Sequence, residues 1–357
     1  LGDGQSGQGH QNPTPSLVPG LSGASALRAG GDTTCAILGE SLACWGDGTY
    51  GQIGDGTAAN GHYQSSPYHI PDLHAVIDVS INSQNVCAVV QDGSAYCWGL
   101  NSSSEWLGFA SSDCGPFSST TGGASTLLPC ETAPRQVPAV QGAAFISTGG
   151  EDVCVGLLDG TTECWGDNTF GQVGNGSSGA TASVVAVAPV GSLPVVRRLA
   201  LGSTHSCGLT KDSAVVWCWG DNSSGQLGIG TSSLDSLSTT PVQLGLASGV
   251  RDLDANGDAT CAVTTEGGVS CWGDVSALLP LAVDSGAGNL TTPTKVSGVS
   301  DATTVRTGLA HACVLHNNST VACWGLNDQG QLGNGAVGSG DYTLGPVAGV
   351  LQVTPLK

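Results

Sequence analysis

One stretch constrains this chain more than any other: residues 44–57, Cys-Trp-Gly-Asp-Gly-Thr-Tyr-Gly-Gln-Ile-Gly-Asp-Gly-Thr, return in fragments along its length. Cys-Trp-Gly recurs at Trp98, Trp165, Trp219, Trp272 and Trp324, and Gly-Gln-aliphatic-Gly recurs over residues 171–174, 225–228 and 330–333. Successive tryptophans lie 53, 67, 54, 53 and 52 residues apart. A period of that size marks an array of one supersecondary unit, each copy burying its apolar face on the next.

Each unit has the same order. A Pro-x-x-aliphatic stretch (residues 67–70, 134–137, 241–244 and 293–296) leads through a short apolar run to a turn and a first cysteine. A β-forming segment such as Ala88-Val89-Val90 follows, then turn residues such as Asp92-Gly93 or Asp159-Gly160, then the second cysteine. Turn chemistry flanked by β-formers predicts a hairpin. One strand before the hairpin, two within it and one in the Pro-x-x-aliphatic return make four short strands per unit, the blade of a β-propeller. A linear β-solenoid is the alternative, but its coils are usually shorter. With 56 Gly, 10% charged residues and no Met, little material remains for amphipathic helices. The expected fold is all-β, one propeller domain over residues 1–357.

Twelve of the 14 cysteines form six pairs of similar spacing. The hairpin turns set each opposite its partner, predicting Cys35–Cys44, Cys87–Cys97, Cys154–Cys164, Cys207–Cys218, Cys261–Cys271 and Cys313–Cys323, with Cys114–Cys130 as a seventh bridge. The spacings do not match zinc knuckles, so metal is the weaker reading. Small buried thiols are the other alternative. Disulfides imply an oxidising compartment, and the expected location is extracellular or at the cell surface.

A net charge of -19 with three lysines repels phosphate backbones and anionic lipid, so nucleic acid is not an expected partner. No apolar run of about 18 residues predicts a membrane span. The lack of an initiator Met and of a signal-like segment fits a processed or trimmed chain.

The order His-x-Cys, Cys-Trp-Gly, Asn-x-x-Gly-Gln-Leu-Gly-x-Gly and a proline-led return, fullest over His205–Val242 and His311–Val347, resembles the repeat of the regulator of chromosome condensation superfamily. That superfamily includes a β-lactamase-inhibiting propeller and a plant ultraviolet photoreceptor. The resemblance covers essentially the whole chain and implies a propeller, usually of seven blades.

Two units depart from the pattern. In the second, Glu105-Trp106 replaces Gly-Gln and an insertion at 108–133, carrying Cys114 and Cys130, is expected to loop off one face. In the fifth, the motif after Trp272 degrades to Asp-Val-Ser-Ala-Leu-Leu-Pro. A site is expected at such irregular units.

The in-register tryptophans could stack on sugars, but a packing layer between blades explains them more simply. Trp106 and Trp217 stand out of register and are candidate partner contacts. His205 and His311 occupy a repeat position filled elsewhere by Thr33, Asn85, Asp152 and Ala259, and a position that accepts Ala is not a catalytic one. His62, His69 and His74 match no zinc spacing. Asp47-Gly48 and Asp55-Gly56 resemble pieces of calcium loops, yet sit where turns are needed anyway. Without a nucleophile elbow, a phosphate-binding loop or a zinc-protease motif, no catalytic residue, metal or cofactor is expected. Glycosylation sequons occur at Asn101, Asn175, Asn222, Asn289, Asn317 and Asn318.

The expected function is therefore non-catalytic: a protein-binding module or a structural subunit of an extracellular or cell-surface assembly. Inhibition of a secreted hydrolase and lectin-like binding of polysaccharide are alternatives. Nucleotide exchange on a nuclear GTPase is disfavoured by the cysteine pairs. Residues 1–4 repeat residues 53–56, so seven return elements bracket six hairpins. The expectation is a seven-bladed ring with an incomplete terminal blade built from both ends, the alternative being six blades.

Overall fold

A computed structural model describes residues 1–5, 10–101, 106–117, 126–179, 184–233, 236–246, 248–278, 289–338 and 344–349. Six antiparallel sheets follow one another along the chain. Sheet 1 holds β1 (Ala24–Gly30), β2 (Thr33–Leu38), β3 (Ser41–Asp47) and β4 (Tyr63–His74). Sheet 2 holds β5 (Val76–Ile81), β6 (Asn85–Val90), β7 (Ala95–Leu100), β8 (Asp113–Phe117) and β9 (Thr126–Gln136), in the order β5-β6-β7-β9-β8. Sheet 3 is β10 (Ala143–Thr148), β11 (Asp152–Leu157), β12 (Thr162–Asp167) and β13 (Val184–Pro189). Sheet 4 is β14 (Val196–Leu201), β15 (His205–Thr210), β16 (Val216–Asp221) and β17 (Leu237–Gln243). Sheet 5 is β18 (Val250–Asn256), β19 (Ala259–Thr264), β20 (Val269–Asp274) and β21 (Asn289–Lys295). Sheet 6 is β22 (Ala302–Thr307), β23 (His311–His316), β24 (Val321–Gly325) and β25 (Gly345–Pro346).

These are the blades of a propeller, and there are six of them among the described residues. They match the six-bladed alternative, and no seventh blade stands among the described residues. Residues 1–5 and 10–18 form no strand, although the sequence aligns them with the loop and outer strand of sheet 1. The expected terminal strand Val350–Val353 lies outside the described residues.

The hairpins close where turn chemistry directs. Gly39, Gly93, Gly160 and Gly267 turn the chain at positive φ, and Ala214 and Ser319 accept the same strained region in the other two. The cysteines therefore face each other directly, Cys35 with Cys44 through Cys313 with Cys323. All six pairs are bonded, at Cα separations of 4.1 Å, the close spacing of a non-hydrogen-bonded pair. Cys114 and Cys130 form the seventh disulfide. The insertion does more than loop off a face: β8 pairs with β9 and adds a fifth strand to the outer edge of sheet 2. Residues 118–125 of this insertion lie outside the described residues.

The glycine of Cys-Trp-Gly has a steric cause. At Gly46, Gly99, Gly166, Gly220, Gly273 and Gly325 the φ values lie between 87° and 113°, and a Cβ would come within 2.6 Å of a carbonyl oxygen at the start of β2 or its counterpart. No other residue can follow that tryptophan without moving the hairpin.

Candidate functional site

The sheets are joined by a repeated seam. The second glycine of Gly-Gln-aliphatic-Gly lies against the tryptophan of the next sheet, where a Cβ on Gly54, Gly174 or Gly228 would fall 2.7–3.0 Å from the indole Nε1 of Trp98, Trp219 or Trp272. Each of these indoles donates to the carbonyl of the preceding glutamine, Trp98 to Gln52 (2.9 Å), Trp219 to Gln172 (2.7 Å) and Trp272 to Gln226 (2.9 Å). The glutamine side chain is spent inside its own loop, Gln52 Nε2 donating to Asp47 and Gln172 Nε2 to Asp167. Among the described residues, the buried indole nitrogens left without an acceptor are Trp165 and Trp324, which follow the two units whose Gly-Gln motif is lost.

The seam also engages buried polar groups, although Asp152 Oδ1 and His205 Nδ1 find no hydrogen-bond partner among the described residues. The Ser206 hydroxyl lies within reach of Asp152 Oδ2 (3.3 Å) and of the Gln172 carbonyl (3.0 Å), and His205 Nε2 pairs with Thr260 Oγ1 on the next sheet at 2.7 Å. Asp152, Ser206 and His205 do not form a relay, because Ser206 reaches back to sheet 3 while His205 reaches forward to sheet 5. Burial pulls the His205 pKa down to about 4, opposed by the charge of Asp221. Burial raises the Asp152 carboxyl well above the usual range. These residues tie blades together, and among the described residues no group of three or more His, Cys, Asp or Glu gathers where a metal could bind.

The seam is incomplete at one junction. Inner strands pack in series from β1 to β5, β10, β14, β18 and β22, while the junction of β22 with β1 lacks that packing among the described residues. Its walls are apolar residues that are buried everywhere else. Leu27 is 50% exposed, whereas its counterparts Val79, Ile146, Leu199, Leu253 and Val305 are buried. Across the junction Cys313, Leu315 and Val321 are partly open, although Cys261, Val263 and Val269 are fully buried in sheet 5.

Residues 1–5 and 10–18 line this notch at its outer rim. A Cβ on Gly2 would meet the Trp45 indole at 2.5 Å, as Gly54 meets Trp98. The Gly4 amide donates to Ser65 O and the Gly335 amide to Pro13 O, both at 2.9 Å, repeating the bonds of Gly56 to Thr132, Gly176 to Thr239 and Gly230 to Thr291. His10 pairs with Asp3 as His62 pairs with Asp55.

Charge concentrates on the inner strands. Arg28 reaches Asp78 on sheet 2 (3.4 Å) and Arg198 reaches Asp252 on sheet 5 (3.2 Å), each answered by a carboxylate on the following sheet. Each of those carboxylates also accepts a backbone amide one sheet further on, Asp78 from Ile146 and Asp252 from Val305, both at 3.0 Å. Arg306, which faces the notch, instead reaches back to Asp252 at 2.7 Å. The equivalent amide in sheet 1, that of Leu27, meets no side-chain acceptor from another sheet among the described residues.

Several sequence expectations land elsewhere. Trp106 is buried in the position of the lost glutamine, so it is no exposed contact, and Trp217 is half-buried on β16 opposite Gly208. Asn101 and Asn222 are fully buried, their amides donating to Phe109 O and Thr231 O. Asn168 and Asn327 serve the same loop. Asn175 is partly buried, and Asn289, Asn317 and Asn318 are exposed. Sequence reasoning missed Leu27, Arg306 and Asp252 altogether. A comparison of the six inner strands position by position would have found them, since every charge of the cluster falls at the third or fifth residue.

The fold and its seams define a disulfide-stapled β-propeller whose blades interlock through Trp–Gly contacts. Family models with the description "Regulator of chromosome condensation (RCC1) repeat" match residues 76–105, 196–226, 303–331 and 214–263. The chain is 27% identical over 64% of its length to E3 ubiquitin-protein ligase HERC2 of Mus musculus, and 28% identical over 57% to Ultraviolet-B receptor UVR8 of Arabidopsis thaliana. The matched part is 4% of the first and 46% of the second. Among solved structures, Prp20p of Saccharomyces cerevisiae superposes with a TM-score of 0.76 at 20% identity, covering 97% of this chain and 83% of that one. Human WBSCR16 follows with a TM-score of 0.72 at 17% identity, covering 90% and 81%. At these identities the superpositions show the shared fold. No helix among the described residues is long and apolar enough to cross a membrane.

Proposed function

We infer that this chain is a non-catalytic, extracellular protein-binding propeller whose docking surface is the notch between sheet 6 and sheet 1. The observation that carries the reading is Leu27, half exposed where five equivalent residues are core. Exposed apolar surface of this kind favours contact with another protein segment. Asp152, Ser206 and His205 are buried and tie sheets together, which supports binding over catalysis. Protein binding also suits the fold: the solved structure of Prp20p is described together with its binding to Gsp1p and histones. Seven disulfides support an oxidising, extracellular setting. The in-register tryptophans are spent between blades, which does not favour the lectin alternative.

The test is capture from the secreted proteins of the source. The wild-type chain should retain a discrete partner that Leu27→Asp fails to retain at unchanged melting temperature. Equal retention by both, or none by either, overturns the reading.

A further inference from the structure

The turns and loops hold two dipeptides that share a spontaneous reaction. In Asn-Gly and Asp-Gly the glycine amide nitrogen can attack the side-chain carbonyl carbon one residue back, since no Cβ on the glycine shields it. The chain has four Asn-Gly pairs, at Asn60, Asn175, Asn256 and Asn334, and five Asp-Gly pairs, at Asp3, Asp47, Asp55, Asp92 and Asp159. The fold spends most of these amides. At all five Asp-Gly pairs the glycine donates to a main-chain carbonyl at 2.9–3.0 Å: Gly4 to Ser65 and Gly56 to Thr132, Gly48 to His62 within its loop, Gly93 to Val90 and Gly160 to Leu157 at hairpin tips. Asn175 and Asn334 are held twice. Gly176 donates to Thr239 O and Gly335 to Pro13 O at 2.9 Å, while the asparagine Oδ1 atoms accept Ser177 N and Ala336 N at 3.0 Å. Cyclisation at any of these seven pairs has to break a backbone hydrogen bond first.

Two glycine amides escape. Gly61 and Gly257 donate to no acceptor among the described residues, and the side chains of Asn60 and Asn256 meet no hydrogen-bond partner there. These two sites differ in freedom. Asn256 ends β18 opposite Ala259, is partly buried, and its turn is tied to sheet 4 by Ser203 N donating to Gly257 O at 2.7 Å. Asn60 is exposed between β3 and β4, in a turn closed by His62 N donating to Ala59 O at 3.0 Å with Gly61 at φ 73°.

We propose that Asn60 is the residue at which the folded chain modifies itself, losing ammonia to become aspartate and isoaspartate, while the seam bonds of Gly176 and Gly335 keep Asn175 and Asn334 intact. Gly61 N bonds to Asn60 Cγ and gives up its proton to water; the Cγ–Nδ2 bond breaks and ammonia leaves, closing a five-membered succinimide. Water then adds to one of the two ring carbonyls, and the ring opens to aspartate or, with the main chain rerouted through the side chain, to isoaspartate. Nothing is oxidised or reduced, and water is the only co-reactant. The product places a new carboxylate beside the pair formed by His62 and Asp55 at 2.8 Å, and the rerouted form lengthens the turn that delivers His62 to that pair. The repeated inter-sheet bond thus acts chemically as well as mechanically, shielding the labile dipeptides that its own loop geometry requires.

The test incubates the intact chain at mildly alkaline pH and follows all four Asn-Gly sites by peptide mapping, with isoaspartate read separately. The same chain, reduced and unfolded, gives the rate that each local sequence allows on its own. Asn60 should convert in the folded chain at close to its unfolded rate, and Asn256 should lag behind it. Asn175 and Asn334 should convert at least about tenfold more slowly than when unfolded, because reaction there waits for local opening. Hydrogen exchange should find the Gly176 amide protected and the Gly61 amide open. Asn60→Gln should remove the first conversion and leave the rates at the other three sites unchanged. Four results overturn the proposal: Asn175 converting as fast as Asn60 in the folded chain, Asn256 outpacing Asn60, Asn60 intact while the unfolded chain converts, or aspartate forming at Asn60 without isoaspartate.

Discussion

Gly335 donates its amide to the carbonyl of Pro13 at 2.9 Å, tying the loop of the last sheet to a segment at the opposite end of the sequence. Gly2 lies against Trp45, so the described residues near the start of the chain contact both sides of the notch.

Deleting residues 1–18 should therefore uncover Trp45, which is now 3% exposed. Losing the cover of a large aromatic costs about 2–3 kcal/mol by area. The expected outcome is a lower melting temperature and a red shift in tryptophan emission, with the other sheets still folded by circular dichroism. An unchanged emission spectrum would show that the contact contributes nothing.

The buried histidine sets an acid limit. His205 is neutral in the folded chain with a pKa of about 4, against 6.5 when unfolded. Its contribution is full above pH 6.5 and is lost as pH falls towards 4, a change of roughly 3 kcal/mol. Melting temperature measured from pH 7.5 to 4 should fall more steeply for the wild type than for His205→Gln. Asp152 acts in the opposite sense: its raised pKa penalises ionisation, so Asp152→Asn should be the more stable at pH 8, with the difference shrinking towards pH 4.

Each hairpin disulfide closes a short loop and contributes up to about 3 kcal/mol in the chain-entropy account. Replacing Cys207 and Cys218 together by Ala should lower stability by that order without altering the other bridges. Peptide mapping without reductant should recover every pair intact, and free thiols at these positions would contradict the pairing.

Glycine substitutions separate two roles. Gly220→Ala would set a Cβ 2.6 Å from Thr204 O at φ 100°, and should cost several times what Gly56→Ala costs at φ 84° in open space. Comparable melting temperatures for the two variants would refute the steric account of Cys-Trp-Gly.

Much of the fold was legible because it is written in repeated local chemistry. Turn residues such as Asp92-Gly93 placed the hairpins, and the hairpins placed the cysteines. Blade number was harder to read: residues 1–4 copy 53–56, yet a copied loop is not a blade without a hairpin to pair with. Trp106 misled because its misalignment suggested exposure, when it had taken over a buried glutamine position. Asn101 and Asn222 carry sequons that their own loop bonds occupy, and a tripeptide carries no record of burial. The notch residues escaped notice because Leu27 and Arg306 are ordinary within their own strands, and become unusual only when the neighbouring sheet is considered.

The six repeat disulfides join cysteines nine to eleven residues apart, so each is a nearest neighbour in the chain as well as in space. Where the thiols are oxidised, each therefore meets its correct partner before it can meet a cysteine of a later repeat. Oxidation can then proceed blade by blade in order of synthesis, with little need for reshuffling, and the cysteines that staple the finished ring also keep its unfinished copies from pairing with one another.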